Sequence, residues 1–186
     1  NPKQPECHYP FKNLAGCGVA FKLAQAIREK ADLPRPITNS LLDIVGIGTI
    51  GDIVPLLDEN RTLAKYGIYE INKSKRPGLT KLIGSVSLKG GELGSDQVAF
   101  GIVPHLNAAG RMKDASVGVD LLLAKDEDEA QTLSEELIMH NRERKRVQEE
   151  TFRECLGLKE IQCPDSLFPV IRDDNAHEGI AGIVAG

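Results

Sequence analysis

Three short stretches hold the residue types that could do chemistry. Asp52 follows Gly46, Gly48 and Gly51 and sits among Ile50, Ile53, Val54 and Leu56. An ionised carboxylate in apolar surroundings needs a charged partner, a set of hydrogen-bond donors or a metal ion. The glycines leave room for backbone or ligand beside it. A helix cap or a structural hydrogen bond is the plainer role for the same residue. The second stretch is Pro104-His105-Leu106-Asn107-Ala108-Ala109-Gly110-Arg111. Pro104 is expected to stop a helix, so that a compact turn presents His105, Asn107 and Arg111. Arg111 offers a planar fork suited to phosphate oxygens, and Asn107 offers both a donor and an acceptor. A turn cap at Asn107 and a surface ion pair at Arg111 are the alternatives. The third stretch is His177-Glu178, just before a short apolar segment. His177 could bind phosphate or a metal, or cap the helix that follows.

Other patterns carry less. Gly46-Ile47-Gly48-Thr49-Ile50-Gly51 matches the dinucleotide fingerprint literally. That fingerprint needs a strand before it and a helix after it, and Pro55 falls where the first turns of such a helix belong. The basic run Arg142, Arg144, Lys145 and Arg146 could track a nucleic-acid backbone, but Glu143, Glu149 and Glu150 offset it, which favours a solvated helix face. Cys7, Cys17, Cys155 and Cys163 form no C-x-x-C pair, so they read as free thiols. His8 and His140 have no identifiable partners. There is no nucleophile elbow, Walker A sequence or Ser-His-Asp order.

The elements that must position these residues are mostly helices. The proline-rich first dozen residues read as a loop, Asn13 as an N-cap, and Leu14, Val19, Leu23 and Ile27 as one face of a helix reaching Lys30. Leu33-Pro34-Arg35-Pro36 ends it. Leu41–Val54 is strongly apolar. Residues 59–72 and 77–86 predict two short helices, Ser87–Gly94 a loop, Asp96–Val103 a further short helix and Asp114–Ala124 another. The longest periodic segment runs from about Asp126 to Leu158, with Ala130, Leu133, Leu137 and Ile138 on one face. From Asn141 to Glu150 the pattern dissolves into polar residues, as in a helix that bridges domains. Phe168–Ile171 is a strand candidate. Ile180–Gly186 opens like a helix and stops without a cap or polar tail, as expected of a chain cut from something longer.

Composition bounds the rest. The 186 residues are 41% hydrophobic and 27% charged, enough for one domain or one and a half with a sizeable core. No apolar run approaches the roughly 18–20 residues needed to span a membrane, and the first residues lack the order of a secretory signal. A cytoplasmic location is the default. The net charge of −4 is not that of a dedicated nucleic-acid-binding domain, so any phosphate contact must use a local patch or a metal. Aromatic residues are only 4%, which argues against a base-stacking platform.

Taken together, four segments resemble one family. Asn1-Pro2 and Tyr9–Lys22 resemble the stretch after the Asp-His-His motif of RecJ-like exonucleases, members of the DHH phosphoesterase superfamily. Gly48–Leu56 with Glu59-Asn60-Arg61 resembles that family's last metal-binding motif. Pro104–Arg111 resembles its Pro-Arg-x-Asn-Ala-x-Gly-Arg motif, with His105 where many members have arginine. His177–Gly186 resembles the opening of the DHH-associated domain. The resemblance implies an α/β, helix-rich fold. Residues 1–125 would be the C-terminal part of the catalytic domain, 126–160 a connector helix and 161–186 the start of the second domain. It implies a 5′→3′ exonuclease acting on single-stranded DNA in repair and recombination, with single-strand-binding protein and a helicase as partners. It implies two Mn2+ or Mg2+ ions with Asp52 as the final aspartate ligand, Asn107 and Arg111 at the catalytic cleft, and His105, Arg111 and His177 toward substrate. The remaining ligands, including the adjacent histidines, are not in this sequence, so this piece alone should be inactive. Two other readings stand beside it: a phosphodiesterase for short oligonucleotides or cyclic dinucleotides, and a catalytically dead scaffold subunit.

Overall fold

The computed structural model describes residues 1–86 and 91–186. Every regular element among them is helical. Helix α1 is Gly16–Lys30, α2 Pro36–Asn39, α3 Leu42–Gly51, α4 Asp58–Ile71 and α5 Pro77–Ser85. A π-helical turn, Gln97–Ile102, runs directly into α6, Val103–Met112; α7 is Ser116–Leu123, α8 Glu127–Gln162 and α9 Glu178–Val184.

Helix α3 is the centre, because its sequence is apolar on nearly every side. Val45, Ile47, Thr49 and Ile50 are all buried, as expected of a helix without a polar stripe. Its three glycines lie inside the helix, so they form no phosphate loop and serve instead for close packing. A Cβ on Gly46 would stand 2.6 Å from the Gly67 Cα of α4, one on Gly48 2.8 Å from the Cys17 sulfur of α1, and one on Gly51 3.0 Å from Val103 of α6. Around this centre, Ile47 and Ile50 join Ile71, Leu79, Leu82, Val98, Ile102, Leu121 and Leu137 in the main core. A smaller cluster of Leu14, Phe21, Val45 and Leu63 closes the α1 side.

Polar ties fix the ends of these helices. Asp43, in the first turn of α3, is buried. It accepts from Arg76 Nε at 3.1 Å and Nη2 at 3.2 Å, and from the Ser74 hydroxyl at 3.0 Å. Arg76 also donates to the Leu122 carbonyl at 3.0 Å, so one guanidinium joins α3, α5 and the end of α7. A buried ion pair contributes little net energy but is costly to break, so it fixes geometry. Asn72 bridges to Leu93, accepting from its N–H at 2.8 Å and donating to its carbonyl at 3.0 Å.

Several expectations need correction. α1 starts at Gly16 with Ala15 as its N-cap, not at Asn13; the Asn13 carbonyl is instead taken by the Asn60 side chain. Pro104 does not end a helix: it lies in the first turn of α6, where a missing N–H costs nothing. Phe168–Ile171 forms no strand, since a strand needs a ladder partner and none is present among the described residues. The loop expected over Ser87–Gly94 lies partly outside the described residues, which resume at Gly91.

The long helix α8 is capped by Asp126, whose carboxylate accepts from the N–H groups of Asp128 and Glu129 at 2.9 and 3.0 Å. At 36 residues it is roughly 54 Å long. Its first half packs on α5, α6 and α7, and it also meets α9. It is not polar on every side: Ala130, Ser134, Leu137, Asn141 and Thr151 are all buried.

The α3–α4 crossing makes a sharp prediction. Gly46→Ala should destabilise the chain by about 2–3 kcal/mol, because the new methyl meets backbone that cannot yield. Gly157→Ala, inside α8 with open space around it, should stabilise by about 0.5–1 kcal/mol. Urea unfolding of the two variants against wild type measures both.

Candidate functional site

Asp52 stands where α3 stops. It is the C-cap residue, and its N–H still donates to the Gly48 carbonyl at 3.0 Å. The next residue, Ile53, turns the chain with φ +54 and is 90% exposed. Left-handed backbone at a helix end usually takes glycine, and a β-branched residue there is strained. Beyond the turn, the chain is pinned by Asn60. This side chain is fully buried and donates to the Pro55 carbonyl at 3.0 Å and the Asn13 carbonyl at 2.6 Å. The backbone around Asp52 is therefore fixed from both sides, while its carboxylate is exposed and accepts no hydrogen bond among the described residues.

Helix α6 brings up the second stretch. Because Pro104–Arg111 is helical, Asn107 and Arg111 stand one turn apart on one face, and His105 points elsewhere. Gly51 makes the approach possible, since α6 rests on it through Val103. Asp52 and Asn107 consequently line one cleft of about 420 Å³, with Ile44, Leu106 and Leu122 among its walls. Other hollows are less suggestive. A roomier one of about 630 Å³ surrounds Asp43 and Arg76, whose charges already satisfy each other. One between α8 and the residues around α9, about 440 Å³, contains none of the candidate residues.

Arg111 faces α9 rather than the wall of that cleft. Its guanidinium is exposed and donates to the Gly179 carbonyl at 3.1 Å. The backbones nearly touch here, for a Cβ on Gly179 would lie 2.3 Å from the Arg111 carbonyl oxygen. His177 takes the cap role: its Nδ1 accepts from the Gly179 N–H at 3.1 Å. His105 is half-buried, and its Nδ1 is 2.7 Å from the Gly101 carbonyl. A carbonyl only accepts, so Nδ1 carries the proton. Burial, offset in part by that hydrogen bond and reinforced by Lys145 and Arg144, holds its pKa below the usual histidine value.

The structure thus brings Asp52 and Asn107 together, joins Arg111 to His177 through Gly179, and turns His105 toward α8. Arg144 is the residue that sequence reasoning missed. In sequence the basic run reads as a solvated face, yet Arg144 is half-buried and its guanidinium donates at 2.7 Å to both Asn141 and Gln148. The signal was present: Arg144 continues the buried spacing 130, 134, 137, 141 of α8.

Can these residues hold a metal ion? A free carboxylate is the right kind of donor for a hard divalent cation, which takes about six oxygens. Among the described residues, no group of three or more His, Cys, Asp or Glu side chains converges. Asp52 therefore fits as one ligand and does not make a site by itself.

No family model matches the chain. The chain is 42% identical over its whole length to the single-stranded-DNA-specific exonuclease RecJ of Bacillus subtilis, of which it covers 23%. It is 36% identical, again over its whole length, to RecJ of Escherichia coli, of which it covers 34%. The chain is thus similar to RecJ exonucleases along its whole length. It spans between about a quarter and a third of these curated relatives. The crystal structure of RecJ in complex with Mn2+ from Thermus thermophilus superposes with a TM-score of 0.83 at 36% identity, covering 98% of this chain and 26% of that one. A Mg2+ complex from the same organism gives 0.81 at 35% identity, covering 97% of this chain and 28% of that one. Solved RecJ structures similar to this chain thus hold Mn2+ or Mg2+.

The state of His105 sets a pH dependence in this chain. Its folded pKa lies below the unfolded value of 6.5. The unfolded state therefore binds more protons as pH falls, so the contribution of His105 is complete above pH 6.5 and is lost as pH drops through the folded pKa. The loss of urea stability between about pH 7.5 and 5.5 should be smaller in His105→Gln than in wild type.

Proposed function

We propose that this chain is an internal part of a RecJ-like exonuclease that hydrolyses single-stranded DNA 5′→3′ with Mn2+ or Mg2+, in DNA repair and recombination. One observation carries the reading. In a chain that aligns end to end with RecJ exonucleases, an exposed carboxylate that accepts no hydrogen bond among the described residues shares a cleft with Asn107. In the longer protein, residues 1–125 complete an α/β catalytic domain, 126–160 connect, and 161–186 begin the DHH-associated domain. The proposed place of work is the cytoplasm. Its partners are single-stranded DNA, with single-strand-binding protein and a helicase.

Asp52 contributes one ligand, and the others come from segments outside this chain. Bound metal supplies Lewis-acid polarisation of the phosphodiester and an activated water. The chain's own residues do the rest. The α3 terminus and the Asn60 anchor hold the Asp52 carboxylate toward the cleft, where little reorganisation is left for the moment of reaction. Asn107 offers a neutral donor to a phosphate oxygen. Arg111 keeps unused N–H donors beyond the one engaged by Gly179 and adds positive charge at the mouth of the α6–α9 junction. His105, neutral and turned to α8, takes a supporting place, and His177 holds the start of α9 as a cap beside Arg111.

The experiment is digestion of 5′-labelled single-stranded DNA with Mn2+ by the longer protein. Mononucleotides should appear from the 5′ end, and chelation should stop their release. Asp52→Asn should slow the rate by more than the about 10–100-fold typical of losing an outer partner of a metal site. No cleavage of DNA by the wild type overturns the proposal. Hydrolysis of only cyclic dinucleotides or short oligonucleotides would place the chain with the small phosphodiesterases, and no hydrolysis of any phosphodiester would favour a scaffold.

A further inference from the structure

The arginines of helix α8 are held differently. Arg146 points outward and is fully paired, donating to Glu143 at 2.6 and 2.8 Å and to Glu150 at 2.6 and 2.7 Å. Arg153 lies 3.7 Å from Glu149. Arg144 is different. It lies three residues beyond the buried Asn141, in line with the buried stripe of a helix that packs on α6. Its guanidinium is gripped by two neutral amides, Asn141 Oδ1 and Gln148 Oε1. Among the described residues no carboxylate pairs with it, and none pairs with Arg111 or Lys145. An amide grip fixes the direction of a guanidinium without cancelling its charge.

The surroundings of Arg144 are also positive. Arg111, across on α6, is close enough to lower its pKa further after burial has done so, although arginine stays charged. Lys145 is the neighbouring cation, and both residues act on His105. A half-buried cation beside like charges, with no acid near, is unfavourable unless an anion completes it. In an acidic chain of net charge −4, suitable carboxylates are abundant, and α8 uses them on its other face.

We propose that Arg144, set by Asn141 and Gln148, contacts a phosphate of the nucleic-acid backbone together with Arg111, so that α8 forms a wall of the substrate path as well as a connector. The inference rests on the nuclease reading above and adds a positioning and binding element to it. It assigns the connector a direct part in affinity. The fork of Arg144 fits two phosphate oxygens, and its remaining N–H groups are those not used by the amides.

Equilibrium binding of a fluorescent oligothymidylate to the longer protein, with metal chelated so that the strand stays intact, tests it across a series of salt concentrations. Each phosphate contact with single strands contributes about 0.7 to the slope of log affinity against log salt. Arg144→Gln should weaken binding about tenfold and reduce the slope by about 0.7. Arg144→Lys should keep the slope while losing affinity, because the charge remains and the fork does not. Gln148→Ala should also weaken binding with the slope unchanged, since only the grip is lost. Arg146→Gln should change neither quantity. Thermal unfolding of each variant separates loss of fold from loss of contact, and the charge-retaining lysine variant keeps the test decisive if the glutamine variant unfolds. If wild type binds the strand and Arg144→Gln retains both affinity and slope, the inference fails and the nuclease reading stands. If wild type neither binds nor cuts single-stranded DNA, the nuclease reading fails first.

Discussion

The contact between Gly46 and Gly67 is the constraint on which the rest of the structure depends. Two helices can cross this closely only where neither carries a side chain, and α3 meets α4 at such a point. Once α3 is locked there, its other two glycines decide which surfaces α1 and α6 can reach. Gly48 admits Cys17 and Gly51 admits Val103. The apolar side chains of α3 then fill the space between these helices at the density of a protein interior. A glycine-rich segment that resembles a nucleotide loop in sequence thus works as a packing hub.

The candidate site follows from that hub. Asp52 is placed by the end of α3, and Asn107 is placed by α6, which rests on the same helix one turn earlier. Neither residue needs the other for its position; both inherit it from backbone packing. Asn60 and the Asp43–Arg76 pair then fix the flanking chain, each joining segments far apart in sequence. This rigidity would suit the proposed reaction, in which charged groups must already stand where a phosphate will sit. The strain at Ile53 belongs to the same design, since residues held in rare backbone conformations persist where the surroundings over-determine them.

Much of this was legible from local pattern. Helices over residues 58–71, 77–85 and 116–123, and the start of α8 near Asp126, agree with local periodicity. What misled was punctuation whose meaning depends on neighbours. Pro104 reads as a stop, but a π-helical turn leads into it and puts it where its missing N–H does no harm. Phe168–Ile171 has the composition of a strand, but no strand lies beside it among the described residues. The polar stretch of α8 reads as solvated all round because charge is counted without regard to face. Carrying the stripe of Leu137 and Asn141 one step further shows that Arg144 turns inward.

The sequence by itself determined the resemblance: a lone aspartate after glycines, an Asn-Ala-Ala-Gly-Arg segment, and their order along a chain that resembles RecJ-like exonucleases. Those features are local, and residue type and spacing express them directly. Only the tertiary structure decided that Asp52 and Asn107 share a cleft, that Arg111 is tied to α9 while His105 is turned away, and that Arg144 carries an unneutralised charge. These relations depend on which helices touch, and that is set by close backbone approaches and buried polar ties between residues tens of positions apart, which no local pattern encodes.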